Sequence, residues 1–202
     1  MSGHLFIITA ASGAGKTSLV KAVLGLDAQV KLAVSYTTRQ PRANEVDGVD
    51  YFFVNDAGFN QRLNHGDFLE YAEVHDAKYA TSQSQVEQAL SHDFDIILEI
   101  DWQGAAQIRQ LMPQATSIFV LPPSIDALEQ RLNTRGQDSS EVIAKRIAAA
   151  RDEMSHVSEF DYVTINDSFE IALGDIMAII RSHRLICSVQ SERHAQLIST
   201  LV

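Results

Sequence analysis

The sequence predicts an α/β protein, a parallel sheet flanked by helices, from three observations. Leu5-Phe6-Ile7-Ile8-Thr9 is a short apolar run that ends at a glycine-rich turn and passes into a helical pattern from Thr17 to Leu24. Ile96 to Ile100 and Ser117 to Leu121 are two more apolar runs, each beside a helical pattern, as crossover-connected parallel strands would be. Ile171, Ile176, Ile179 and Ile180 recur at helical spacing, so the stretch from Phe169 to about Val189 is expected to pack on the sheet as a helix. Tyr162-Val163-Thr164-Ile165 is a further strand candidate.

With 202 residues the chain suits one domain carrying small insertions. Hydrophobic residues make up 46% and charged residues 21%, a composition that folds around a core. The net charge of -10 argues against long-range attraction to a nucleic acid or an anionic membrane, so an anionic ligand must meet locally concentrated positive charge. The single cysteine, Cys187, cannot form an internal disulfide, which fits a reducing compartment, and reads as a small buried residue. Leu5 to Ile8 is too short for a signal-peptide apolar region, and no run nears the roughly 18 apolar residues of a membrane helix. A soluble, cytoplasmic protein is expected. The sequence allows a homo-oligomer without demanding one.

The turn after the first strand, Ala10-Ala11-Ser12-Gly13-Ala14-Gly15-Lys16-Thr17, matches the Walker A pattern GxxxxGK[ST] except at its first position, where alanine replaces glycine. An ordinary glycine-rich turn with a surface lysine could match as well, but the strand before it and the helix after it are the setting that phosphate binding needs. Gly13 and Gly15 let backbone N–H groups turn inward around phosphates. Lys16 would sit against the transferring phosphate and Thr17 would offer its hydroxyl to Mg²⁺. Ala10 bears only on the tolerance for positive φ where the loop begins. The fold expected is therefore a P-loop NTPase-type sheet.

Residues 35–91 are richer in aromatic, polar and turn residues and read as an inserted lobe; residues 124–151 form a second polar insertion, a lid. Asp138 with Glu141 gives a helix-start signal there. The core is expected over 1–34, 92–123 and 152–202. Glu99 and Asp101 close the strand that begins at Ile96, where alternation would put both on one face at the end at which α/β sheets bind ligands. Seven histidines are scattered without metal-ligand spacing, so no zinc site is expected.

Ser35 to Arg42 places Arg39 and Arg42 three residues apart around Pro41, which composition alone reads as a solvated loop. The order of motifs, however, resembles guanylate kinase: SGAGKTSL, VSYTTRQPR, VDYFF, FLEYAEV, EIDWQG and RLNTRGQDS, running from about Leu5 to at least Asp167. The resemblance implies transfer of the γ-phosphoryl of ATP to GMP, and to dGMP, with Mg²⁺. It assigns Arg39, Arg42, Tyr51 and Tyr79 to the acceptor phosphate, two forked cations and two phenols suited to a dianion. Glu70 falls on the guanine-reading acid, and Ser35 and Thr81 on its hydroxyl contacts. Glu99 and Asp101 fall on a pair that is usually two aspartates, addressing acceptor and metal water shell.

Arg131, Arg135 and Arg146 match lid arginines that approach the ATP phosphates, where arginine stabilises charge spread over a moving phosphoryl. Asn166 and Asp167 fall where adenine is contacted. Lys16, Arg39, Arg135 and Arg146 are thus the residues expected nearest the chemistry. The sequence departs from the family at Ala10, at Ala80 where glycine is common, and at Asp76-Ala77-Lys78, where glycine-asparagine is often seen. Two other readings stand beside this one: a protein-binding module of guanylate-kinase type without activity, and a P-loop kinase for another small acceptor. Intact Lys16, Thr17, Arg39, Arg42 and Arg146 oppose the first, and Glu70 with Ser35 and Thr81 opposes the second.

Overall fold

The structure, a computed structural model, describes residues 3–74, 76–134 and 140–202. Arg135 and Asp138 lie outside the described residues. The main sheet has the order β2-β7-β1-β8-β9, formed by Val30–Leu32, Asp95–Glu99, Leu5–Ala10, Thr116–Leu121 and Tyr162–Ile165, and every pairing in it is parallel. β1 is central, which is why its apolar run is unbroken: both of its faces are covered. Successive side chains alternate across it. Leu5 and Ile7 pack with Ile96, Leu98, Phe119 and Ile108 on one side, while Phe6 and Ile8 pack with Ile97, Ile118 and Val120 on the other.

The second of these faces is closed by α1 (Lys16–Leu26), through Leu19, Val20 and Val23, and by α7 (Phe169–Arg184), through Ala172, Ile176 and Ile180. The other face takes α3 (Gln83–Ser91), through Val86 and Leu90, and α4 (Trp102–Leu111), through Ala105 and Ile108. The buried stripe of α7 corrects the expected one. Ile171 is 65% exposed and Ala172 takes its place in the i, i+4, i+8 row. The helix also stops at Arg184, and α8 (Cys187–Arg193) and α9 (Ala195–Leu201) follow. Cys187, read from sequence as buried, is exposed on α8.

Between β2 and α3 lies a second sheet of order β4-β3-β6-β5, from Phe52–Phe53, Tyr36–Thr37, Ala77–Ser82 and Phe68–Val74, with α2 (Asp56–His65) beside it. Asp76 has φ of 62° in the turn where glycine is common, a conformation that Asp tolerates better than most L-residues. Ala80 needs no such freedom: it is fully buried in β6, in register with Tyr36 and Tyr71. Ala10 ends β1 without positive φ, so alanine there strains nothing. α5 (Ile125–Thr134) and α6 (Ser140–Ser155) make a third cluster, in which Leu128, Leu132, Ile143 and Ala150 pack with Ala11 of the phosphate loop.

Candidate active site

The glycines of the loop that joins β1 to α1 are fixed by their surroundings. Gly13 has φ of 93° and Gly15 of 101°, backbone that side chains rarely adopt. A Cβ on Gly13 would meet Leu128 and Leu132 at 3.0 Å, and one on Gly15 would lie 2.4 Å from Asn166 Nδ2. Gly15 precedes α1 and gives it no side-chain cap, and the first turn of the helix has no acidic residue. Its amino end is therefore free to hold an anion.

Lys16 donates from Nζ to the Ile100 carbonyl at 2.9 Å, and Thr9 donates to the same oxygen at 3.1 Å. Thr17 donates its hydroxyl to the Glu99 carboxylate. A hydroxyl and a carboxylate side by side form an oxygen-only donor set, the kind that Mg²⁺ takes while phosphates and waters complete its shell. Ser12 is gripped twice from α6: its N–H donates to Glu153 at 2.9 Å, and its hydroxyl accepts from Arg146 at 3.1 Å. Asn166 and Arg131 brace the loop from the far side. The Asn166 amide donates to the Ala14 carbonyl at 2.7 Å, and Arg131 donates to that carbonyl at 3.3 Å and to Asn166 O at 2.8 Å. With Asp167 they border a separate depression beside Gly13, Gly15 and Phe169.

The acceptor side is built by the second sheet. Arg39 is paired with Glu45 at 2.8 Å and lies 5.4 Å from the Tyr51 ring; the Tyr51 and Tyr79 rings are 5.9 Å apart. Glu45 also accepts the Arg42 N–H at 2.8 Å. Burial alone would raise the Glu45 carboxyl, but these two hydrogen bonds hold it below the usual range. Burial, with Glu99 and Tyr79 nearby, pushes the Tyr51 phenol up to about 12, so it stays a proton donor.

Glu70 is 3% exposed and accepts the Thr81 hydroxyl at 2.7 Å. Burial pushes its carboxyl up to about 7; the Thr81 hydrogen bond opposes the rise and the Asp101 charge adds to it. Asp101 caps α4, accepting the Gly104 N–H at 2.9 Å, and its other oxygen accepts from Gln103 at 3.2 Å. Here the structure corrects the sequence reading: β7 ends at Glu99, and Asp101 stands on the helix start instead of on the strand.

One cleft of about 240 Å³ joins the two sides, lined by the phosphate loop, Ser35, Arg42, Tyr51, Glu70, Tyr79, Glu99, Asp101 and Arg146. Arg39 and Thr81 stand behind this lining and act on Glu45 and Glu70, while Arg131 and Asn166 act on the loop backbone. Sequence reasoning missed Glu153, Glu45 and Gly104. For Glu153 there was a signal: it follows Arg146 by seven residues, two turns along one helix face.

The arrangement brings a phosphate loop and a buried carboxylate to one cleft. A sequence profile of the family described as guanylate kinase matches residues 2–183. The guanylate kinase of Methylobacillus flagellatus is 63% identical over 202 residues, covering all of both chains. That of Pseudomonas syringae pv. syringae is 52% identical over 210 residues, covering 100% of this chain and 98% of its own. The crystal structure of guanylate kinase from Anaplasma phagocytophilum superposes with a TM-score of 0.78 at 27% identity over 95% of each chain. The chain belongs to the guanylate kinase family.

Proposed function

We infer that this protein transfers the γ-phosphoryl of ATP to GMP, giving ADP and GDP, and accepts dGMP as well. The observation that carries the choice of acceptor is Glu70, a buried carboxylate that lines the same cleft as the phosphate loop. Guanine presents adjacent N–H donors that a carboxylate accepts; adenine would present an unprotonated ring nitrogen there, and two acceptors would face each other. Ser35 lines the same cleft and can donate to the guanine carbonyl.

Phosphoryl transfer needs alignment and charge stabilisation and no protein nucleophile. The loop N–H groups and the start of α1 hold the donor phosphates, and Lys16 moves from the Ile100 carbonyl to the transferring group. Arg42, Tyr51 and Tyr79 hold the acceptor phosphate in line with it, and Arg39, 5.4 Å from the Tyr51 ring, adds positive charge behind them. Arg146, already at Ser12, covers the phosphoryl as charge spreads over its oxygens. Thr17 and Glu99, with Asp101 through water, would hold Mg²⁺, which would supply neutralisation of the phosphate charge. The lobe built by the second sheet and the lid at 124–151 close over the substrates and keep water from accepting the phosphoryl. The reaction fits a cytoplasmic setting, in which the exposed Cys187 stays reduced.

A coupled ADP-release assay with GMP, dGMP, AMP, UMP and dTMP tests the reading. GMP and dGMP should be used and AMP rejected by orders of magnitude, as a hydrogen-bonding site can do and an apolar one cannot. Comparable rates with AMP would remove the basis for choosing guanine.

A further inference from the structure

α4 presents Gly104 and Gln107, three residues apart on one helix face, to the outer edge of β5. Gly104 leaves room for the Glu70 carboxylate, whose Oε2 would lie 2.5 Å from a Cβ there. Gln107 holds the next residue by its backbone. Its side-chain oxygen accepts the Tyr71 N–H at 3.2 Å, and its Nε2 donates to the Tyr71 carbonyl at 2.7 Å.

In an antiparallel ladder every second residue turns both backbone groups away from its partner strand, and at a sheet edge those groups lack a neighbour. Tyr71 is such a residue: among the described residues β5 pairs only with β6, and Tyr71 is in register with Ala80. One carboxamide, with an acceptor and a donor side by side, does for Tyr71 what a further strand would do. An aliphatic side chain could fill the space but make neither bond. The contact also crosses from the core helix to the second sheet, one residue from Glu70.

We propose that Gln107 is a positioning residue for guanine recognition: by clamping the Tyr71 backbone it sets the place of Glu70 against Gly104 and the angle at which that carboxylate meets the base. This rests on Glu70 reading guanine. A displaced carboxylate would still be buried, but its oxygens would no longer align with the two N–H groups of the base, and binding of GMP should suffer while ATP does not sense the change.

Gln107→Met keeps length and volume and removes both bonds; Gln107→Glu keeps an acceptor and loses the donor. Steady-state kinetics for GMP and ATP would be measured for each, for Glu70→Ala, and for the Glu70→Ala/Gln107→Met double variant, with thermal melts to follow folding. Gln107→Met should raise KM for GMP roughly tenfold, as the loss of paired hydrogen bonds implies. KM for ATP should stay within about twofold. Gln107→Glu should fall between wild type and Gln107→Met. The double variant should be no worse than Glu70→Ala alone, because a residue that acts through another has nothing left to act on.

A wild-type KM for GMP in Gln107→Met would overturn the proposal, and so would a double variant whose loss is the sum of the two single losses. If Glu70→Ala itself used GMP normally, the reading of Glu70 would fail and this inference with it. A large loss in Glu70→Ala beside an unaffected Gln107→Met would overturn the inference alone.

Discussion

Gly104 and Glu70 are steric complements: a Cβ at 104 would stand 2.5 Å from Glu70 Oε2 and 3.1 Å from its Cδ. Gly104→Ala should therefore push the carboxylate from its place. Alanine in a helix is otherwise better than glycine by about 1 kcal/mol, so the fold has no reason of its own to resist. Catalytic efficiency for GMP should drop by at least about tenfold with KM for ATP unchanged. Wild-type GMP kinetics in a folded Gly104→Ala protein would show that Glu70 is not confined as described.

As the proposed reader of guanine, Glu70 should make GMP affinity pH-dependent. In the free protein its carboxyl is raised from 4.5 to about 7, whereas the base requires it ionised. The GMP dissociation constant should worsen as pH falls below 7, approaching about tenfold per unit while the bound form stays ionised. Binding near neutrality should release protons, which titration calorimetry in two buffers of different ionisation enthalpy would register. The sign for stability is opposite. A raised carboxyl contributes stability that is present below about 4.5 and is lost as pH rises through about 7. Glu70→Gln should flatten both profiles, and an unchanged slope of GMP affinity in that variant would reassign the titrating group.

Lys16→Met should leave the melting temperature near wild type and abolish nearly all transfer, because the loop keeps its N–H groups and its braces but loses the cation beside the moving phosphoryl. Near-normal turnover in that folded variant would remove the phosphate-loop assignment.

Arg146→Ala should lower kcat far more than it alters KM for GMP, since its proposed contact strengthens only as charge redistributes. Arginines in this role contribute on the order of 10³ to 10⁵ in rate. A fall of less than about tenfold would confine Arg146 to its contact with Ser12.

At the opposite end of the sheet, His4 and His183 stack at 4.2 Å and share the Thr116 hydroxyl, at 2.8 and 2.9 Å. Burial, with His183 adding, lowers His4 from 6.5 to about 4, against the pull of Asp95. Its contribution to stability is present above about 6.5 and is lost as pH falls toward about 4. His4→Phe should melt with less acid sensitivity than wild type over that window. Since Glu70 runs the other way, the two single variants separate the effects; identical pH profiles for His4→Phe and wild type would exclude the histidine pair.

The main sheet was legible because β1, β7 and β8 are covered on both faces and burial leaves a continuous apolar run in the sequence. β2 has three residues and β3 and β4 two each, too few for any period to show. Lys16 and Thr17 were legible for a similar reason: a phosphate loop is contiguous. Glu70 was legible only through resemblance, since its chemistry comes from burial against Thr81, 11 residues away, and from the space at Gly104. Nothing local distinguishes it from the other 25 of the 26 acidic residues. Arg131 and Asn166 carry no sign in the sequence that their donors go to a loop carbonyl.

The bond from Asn166 to the Ala14 carbonyl spans 152 residues. β1 likewise lies between β7 and β8, which begin at Asp95 and Thr116. A ribosome therefore makes the phosphate loop early and its Asn166 brace about 150 residues later, a delay of roughly 8 to 30 s at ordinary rates of synthesis. Until then the loop that carries Lys16 lacks the bond that Asn166 makes to its Ala14 carbonyl. A nucleotide bound to the braced loop stabilises the completed chain, because binding to the folded form alone shifts the folding equilibrium toward it.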